Sequence, residues 1–397
     1  MTSPFDRLLS ATAARSAPLA VLDAPALWAN ADDLVRRAGS APVRVASKSV
    51  RVRSVLERTL ARPGFAGVMS YSLAESCWLV DAGVTDDVLL AYPTVDRAAL
   101  LSLTERSEAG ERRRAAITLM VDSVEALDVV DTAVGGSHPI LRVCLDVDAS
   151  LRPGVLGVRP VHLGVRRSPV HSPRQAASIA RAVAARGGFE LVGVMFYDAQ
   201  VAGLPDTSPA VRLVKRLSSA ELAQRRGAVV RAVSEHADLE LVNAGGTGSL
   251  EVAGADPVVT EVTAGSGLFT PTLFDHYDAF EARPAAYLVL DVVRRPSKDV
   301  ATCFAGGYTA SGPAQPNRMP TPVWPEGLSL LGTEGVGEVQ TPVRGRAART
   351  LRIGDRVVFR HAKAGEMCER FDTVTLVDDA GRGETVPTYR GEGRNFG

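Results

Sequence analysis

Cysteine is scarce in this chain, and its few copies are not arranged as a disulfide framework. Cys77, Cys144, Cys303 and Cys368 lie far apart and form no CxxC pair. Single, widely spaced cysteines suit a reducing compartment better than a secreted scaffold. We therefore expect a cytoplasmic protein.

Long apolar runs and an excess of charge are also absent. No apolar run approaches the length of a membrane span, and the opening residues MTSPFDRLLSATAARSAPLAV lack the unbroken apolar core of a signal peptide. Lys+Arg and Asp+Glu both number 45, so the net charge is zero. Nothing in this balance attracts nucleic acid or an anionic membrane. We expect neither as a partner.

The 397 residues, with 46% hydrophobic and 23% charged side chains, are enough for a large domain and a smaller one. Up to about residue 275, short β-rich runs alternate with amphipathic helical segments. The candidate strands are PLAVLD (18–23), VRVAS (43–47), GVMSY (67–71), DVLLAYP (87–93), ITLMVD (117–122), LRVCLDVD (141–148), ELVGVMFY (190–197), LELVNAGG (239–246) and PVVTEVTAG (257–265).

Eight or nine such strands with intervening helices predict an α/β fold, a (β/α)8 barrel of the TIM type, over residues 17–281. A doubly wound sheet is the alternative, but no GxGxxG follows the first strand. After residue 282, helical periodicity fades and short strands punctuated by Gly and Pro return. This change predicts a C-terminal all-β domain over residues 282–397, joined by part of residues 1–16.

Chemistry in such a barrel collects at the carboxyl ends of the strands. Lys48 follows the strand VRVAS and is flanked by small residues. It is either a solvated surface charge or an amine held in a pocket, where partial desolvation makes it a nucleophile toward carbonyls. Arg152, in DVDASLRPGV, and Tyr197, in GVMFYDAQ, follow or end later strands. Each of them alone could equally be a surface or packing residue.

Two turns rich in small residues follow the last two strands. NAGGTGS (243–249) and TAGSG (263–267) offer backbone N–H groups and hydroxyls that could bind a phosphate, although short Gly-rich motifs are often only loops. Barrels often bind phosphate in these loops. A lysine near the first strands and phosphate turns near the last are what a Schiff-base cofactor requires, and the pattern predicts pyridoxal 5'-phosphate.

Nearly the whole chain resembles the fold-type III pyridoxal phosphate enzymes, the alanine racemase-like barrels with a C-terminal β domain. It is most similar to their D-threonine aldolase and D-serine dehydratase branch. The resemblance of VASKSV implies that Lys48 is the Schiff-base residue. DVDASLRPGV and FYDAQ imply that Arg152 bonds the cofactor's phenolic oxygen and that Tyr197 lies on its ring. The phosphate contacts implied by the two turns are Gly245, Gly246, Thr247, Gly248, Gly265 and Ser266.

The C-terminal stretch GDRVVFRHAKAGEMCERFDTVTLVDDAG resembles the same branch, in which a histidine and a cysteine or aspartate two residues later bind a divalent metal. His361 occupies the histidine position, but the second position is Lys363, whose ammonium has no lone pair to give. Cys368 or Glu366 is a substitute ligand if the loop folds back. His361 is thus a metal ligand, a buried structural residue, or a general base acting unaided on a substrate hydroxyl. If His361 is such a general base, we expect Lys363 either to bind the substrate carboxylate or to act as a second acid/base group.

The resemblance implies a lyase that acts on a D-β-hydroxy amino acid, by retro-aldol cleavage or by β-elimination. Lys48 and His361 would be its catalytic residues, and a homodimer its assembly. The alternatives are an amino acid racemase or epimerase and a non-catalytic cofactor-binding protein. Thr263 stands where alanine racemases have the arginine that contacts the pyridine nitrogen, and only Tyr308 and Tyr389 offer a second racemase acid/base group.

Overall fold

The computed structural model describes residues 3–154, 161–313 and 315–397. Within these ranges, a closed eight-stranded parallel barrel is combined with a separate, mostly antiparallel sheet. The predicted barrel with a C-terminal β domain is therefore confirmed. The described helices include none that is long and apolar enough to cross a membrane.

The chain enters through a helix, a strand and a second helix before the barrel begins. These elements are α1 (Pro4–Ala11), β1 (Leu19–Asp23) and α2 (Ala24–Ala38). The barrel strands then pair in chain order, and the last pairs with the first. They are β2 (Val43–Ala46), β3 (Phe65–Ser70), β4 (Val88–Leu90), β5 (Ile117–Val121), β6 (Leu141–Val147), β7 (Phe189–Phe196), β8 (Leu241–Ala244) and β9 (Glu261–Ala264).

Helices follow most barrel strands. A serine or aspartate at the start of many of them accepts a backbone N–H, as Ser72, Ser123 and Ser208 do, which satisfies donors that the first helical turn leaves free. These helices are α3 (Arg53–Leu60), α4 (Leu73–Asp81), α5 (Arg97–Thr104), α6 (Glu108–Ala116), α7 (Val124–Val134), α8 (Pro173–Ala184), α9 (Ala199–Ala202), α10 (Pro209–Ser234), α11 (Leu250–Gly254) and α12 (Ser266–Phe269).

A buried ionic cluster joins the barrel where its first and last strands meet. Arg44 of β2 binds Glu261 of β9 through Nε and Nη2, both at 2.7 Å, and its Nη1 lies 2.8 Å from Asp87, just before β4. Asn243 of β8 donates to Glu261 at 2.8 Å. Because a buried guanidinium is tolerated only when it is paired, this cluster fixes the register at the amino ends of these strands. The opposite, carboxyl ends are left for the site.

The second sheet holds the remaining strands, in the order β13-β14-β11-β10-β1-β16-β17, with β15 pairing β10 and β12. They are β10 (Ala286–Ser297), β11 (Val300–Phe304), β12 (Thr321–Trp324), β13 (Leu328–Leu330), β14 (Gln340–Gly345), β15 (Arg356–Arg360), β16 (Thr373–Val377) and β17 (Gly383–Pro387).

The first strand of the chain lies in this second sheet and not in the barrel. β1 runs antiparallel to β10 and parallel to β16. Its residues are all buried, as in a barrel strand, so its local sequence does not reveal its partners. The division of the chain at residues 281 and 282 stays a prediction.

Candidate active site

Lys48 lies at the carboxyl end of β2, in a single 3₁₀ turn formed by residues 47–49. Its side chain is partly buried, and its Nζ donates to the hydroxyl of Tyr92 at 2.8 Å. Tyr92 follows β4, which lies beyond β3 in the barrel, so the amine reaches past one strand end toward the next across the barrel mouth. Lys48 is thus directed into the site and is not a solvated surface charge.

Tyr92 is held in an unusual electrostatic environment. Burial raises the pKa of its phenol, but the Lys48 ammonium and the Arg167 guanidinium lower it by more, so the net shift is downward. A phenol of lowered pKa in contact with an amine can exchange a proton with it. The two groups are therefore close enough for a proton to pass between them.

The two small-residue turns meet at the ends of β8 and β9. The hydroxyl oxygens of Thr247 and Ser266 are 3.2 Å apart, and the Gly267 N–H donates to Thr247 at 3.1 Å. A side chain on Gly246 would come within 2.8 Å of Ala202, so the turn can take this path only with glycine. Hydroxyl groups and backbone N–H groups thus cluster where the two turns meet.

The second turn also touches the lysine segment. A Cβ on Gly265 would lie 2.5 Å from the carbonyl oxygen of Ala46 and 3.1 Å from Ser49. Two residues before this turn's glycine, in β9, the hydroxyl of Thr263 donates to Asn243 at 3.1 Å, so an uncharged pair lies at that level of the barrel. The turn after β9 and the lysine turn are thus neighbours in space although more than two hundred residues separate them.

Arg152 and Tyr197 are placed differently from each other. Arg152 forms an ion pair with Asp148 and donates to Ser150 at 3.2 Å, all within the loop after β6. Tyr197 ends β7, and the guanidinium facing its ring, 5.0 Å from the centroid, belongs to Arg167. The roles inferred for Arg152 and Tyr197 both stay predictions.

Sequence reasoning missed two residues of this site, Tyr92 and Arg167. Tyr92 is the next-to-last residue of the candidate strand DVLLAYP. A search of the carboxyl ends of the strands, which identified Lys48, could therefore have identified Tyr92 as well. Arg167 lies 5.5 Å from the Tyr92 ring as well, between the two tyrosines, and its guanidinium is exposed. Its loop carries no pattern that reveals this position.

His361 follows β15 in the second sheet and is 3% exposed. Its Nδ1 lies 3.1 Å from the Ala286 carbonyl, which can only accept, so Nδ1 carries the proton and Nε2 the free lone pair. Burial, helped by the nearby Arg360 charge, lowers the pKa of His361 to about 4, although the hydrogen bond with the Ala286 carbonyl opposes the shift. Nε2 is buried and has no hydrogen-bond partner among the described residues. This histidine is a neutral base.

The loop that begins at His361 also holds the lysine turn in place. Gly365 adopts a φ of +86°, and a Cβ there would overlap the Lys48 carbonyl oxygen. Glu369 forms an ion pair with Arg51, whose own φ of +53° is uncommon for a non-glycine residue. The Tyr389 N–H, from the same sheet domain, donates to the Arg51 carbonyl at 2.9 Å.

The donors near His361 do not fit a metal. Lys363 donates to Ser311 at 2.6 Å and pairs with Glu366 at 3.1 Å, so both charged groups are already engaged. Cys368 is 1% exposed, and burial raises the pKa of its thiol to about 12. In the described ranges no three His, Cys, Asp or Glu side chains are grouped as metal ligands would be.

Glu75 of α4 is a buried carboxyl group behind the lysine turn. Its Oε2 accepts the backbone N–H of Tyr71 at 2.8 Å. Burial raises its pKa to about 7, although that hydrogen bond and the Arg51 charge oppose the shift. Trp78 of the same helix packs edge-on against Tyr389, with ring centroids 4.8 Å apart. Helix α4 of the barrel, which lies behind the lysine turn, therefore also contacts the sheet domain.

No protein-family model matches the chain, and no curated protein matches it. Solved structures do match. D-threonine aldolase from Filomicrobium marinum is 21% identical, with a TM-score of 0.76 and 95% of each chain covered. D-threo-3-hydroxyaspartate dehydratase from Delftia sp. HT23 is 19% identical, with a TM-score of 0.69 over 94% of this chain and 97% of that one.

A third match is a cysteine-to-alanine variant of a D-threo-3-hydroxyaspartate dehydratase in the metal-free form. It is 20% identical, with a TM-score of 0.71 over 94% of this chain and 97% of that chain. Alanine racemases match as well. The chain has the fold of these fold-type III pyridoxal phosphate enzymes, as the sequence resemblance predicted.

Replacing Gly365 by alanine should disrupt the packing of this loop against the lysine turn. The added Cβ must both adopt a left-handed φ and displace the Lys48 carbonyl. Gly354→Ala is the matched control, because Gly354 has a φ of +92° and open space around it. Overpacking of this kind costs about 1–3 kcal/mol, so Gly365→Ala should lower the free energy of unfolding by that much more than Gly354→Ala. Equal losses in urea unfolding would contradict the contact.

Glu75→Gln should change the pH dependence of stability. The folded-state pKa of Glu75 is raised from 4.5 to about 7, so the folded protein binds a proton that the unfolded chain has released. This contribution is complete below about pH 4.5 and is lost as pH rises through about 7, reaching up to about 3 kcal/mol. Unfolding free energies at several pH values should therefore fall more steeply for the wild type than for Glu75→Gln. Parallel curves would refute the assignment.

Proposed function

We propose that this protein is a pyridoxal phosphate-dependent lyase that acts on a D-β-hydroxy amino acid, by retro-aldol cleavage or by β-elimination of water. The observation that carries the proposal is the meeting of three parts at one end of the barrel. They are the Lys48 amine, the hydroxyl-bearing turns around Thr247 and Ser266, and the loop of the neutral base His361.

The residues at the barrel mouth fit this cofactor. Lys48 would hold it covalently, and the turns after β8 and β9 would bind its phosphate through Thr247, Ser266 and backbone N–H groups. Tyr197 would lie on its ring, and Arg152 would reach its phenolic oxygen after leaving Asp148. The cofactor supplies an electron sink for a bond broken at Cα. The protein decides which bond that is by how it orients the substrate.

Side chains of the protein would bind the substrate carboxylate and transfer the protons. Arg167 offers an exposed guanidinium between Tyr92 and Tyr197, and a stacked guanidinium keeps its donor edge free for a substrate carboxylate. His361 would take the proton of the β-hydroxyl through Nε2. Lys48, once freed, and Tyr92 would hold or move the Cα proton.

The alternatives are less well supported. Racemisation needs a second acid/base group on the opposite face of the substrate, and the rings of Tyr389 and Tyr308 are instead packed against Trp78 and Phe371. A cofactor-binding protein without catalysis would not need a buried neutral base beside its lysine turn. The matches to an aldolase and a dehydratase that are named for D-amino acids favour a lyase. By the same analogy we expect a homodimer.

A spectral titration tests the proposal. The purified protein should show the visible absorbance of a lysine-bound cofactor, and D-threonine should change this spectrum while L-threonine does not. Glycine among the products would identify the aldolase, and ammonia with a keto acid the dehydratase. Lys48→Ala should lack the band, whereas Lys298→Met, at an exposed lysine, should keep it. A protein that stays colourless with added cofactor would refute the proposal.

A further inference from the structure

The position two residues after His361 is occupied by a lysine, Lys363, which carries a positive charge of the protein's own. We propose that the Lys363 ammonium takes the place of a divalent metal ion, so that this site works without one. The proposal rests on the function proposed above. It concerns a departure of this chain from the metal-binding arrangement that its C-terminal stretch otherwise resembles.

The first argument is the chemistry of the available donors. His361 has a buried imidazole nitrogen with no partner in the described part of the chain, and such a nitrogen is one half of a metal site. The other half is missing, because Lys363 stands two residues on and a charged ammonium cannot coordinate a cation. Glu366, the nearest carboxylate in the loop, accepts from Ser311 and is paired with Lys363 itself.

The second argument is that Lys363 is held in place. Its ammonium donates to Ser311 at 2.6 Å and lies 3.1 Å from Glu366. Glu366 also accepts the Ser311 backbone N–H at 2.7 Å, so the three residues form a closed cycle. The segment is anchored on both sides of Lys363, at His361 by the Ala286 carbonyl and at Gly365 by the Lys48 turn. A surface lysine without a role would not need this support.

The third argument is what such a charge does in the reaction. When the β-hydroxyl gives its proton to Nε2 of His361, negative charge develops on the β-oxygen. In cleavage that oxygen becomes the aldehyde carbonyl as the Cα–Cβ electron pair passes into the electron sink. A fixed ammonium stabilises this charge as a metal would, without needing a lone pair. Lys363 is therefore assigned to charge stabilisation and His361 to proton transfer.

The test begins with metal binding, which does not depend on activity. Purified holoenzyme should contain far less than one metal ion per chain by mass spectrometry, and Zn²⁺ or Mn²⁺ should give no saturable heat in calorimetry. Treatment with a chelator should leave turnover unchanged. Stoichiometric metal in the wild type, removed by chelation together with activity, would overturn the proposal.

Substitutions at Lys363 provide the second part. Lys363→Met should lower kcat by about 10²-fold, the usual effect of losing one group that stabilises developing charge, while the visible absorbance and the melting temperature stay unchanged. Lys363→Arg should retain part of the activity. Lys298→Met is the control for loss of an exposed lysine. Wild-type kcat in Lys363→Met would show that Lys363 is only a surface ion pair, and would overturn the proposal.

Lys363→Cys decides whether the lysine occupies the place of a metal ligand. This variant should bind about one equivalent of Zn²⁺ through His361 and the new thiolate, where the wild type binds none. Binding by neither protein would overturn the assignment of Lys363 to that place. Failure of the proposed function would be seen separately, as a wild type that forms no product from any D-β-hydroxy amino acid.

Discussion

The lysine turn is held from outside the barrel, and the rest of the site depends on that support. Arg51, which closes the turn, has a strained left-handed φ of +53°, and such a conformation persists only where the surroundings enforce it. Glu369 and Tyr389 of the sheet domain fix Arg51, and Gly365 packs against the Lys48 carbonyl. The barrel supplies the amine, and the second domain determines its position.

This arrangement also links Lys48 to His361. The loop whose Gly365 packs against the Lys48 carbonyl begins at His361, which the Ala286 carbonyl holds in place. One short segment therefore positions Lys48 and His361 relative to each other. The phosphate turns reach the lysine segment from the other side, through Gly265 against Ala46. Barrel closure between β2 and β9 makes this contact, and the buried pairing of Arg44 with Glu261 secures that closure at the opposite end.

The local sequence pattern was sufficient to predict the barrel, the Lys48 turn and the glycine-rich turns, because strand ends and small-residue turns are determined by nearby residues. It could not predict which strands pair with β1, because the uniformly buried residues of β1 would suit the barrel or the second sheet equally. Tyr92, Arg167 and Gly365 act through contacts with residues distant in the chain. The neutral state of His361 likewise depends on the Ala286 carbonyl, which no local motif encodes.

The most direct test of the account is to find which lysine carries the cofactor. The holoenzyme is reduced with borohydride to make the lysine bond permanent, then digested, and the labelled peptide is identified by mass. The account predicts the label on Lys48 alone. The other lysines of the chain are Lys215, Lys298 and Lys363. A label on one of these, or on no lysine, would contradict it.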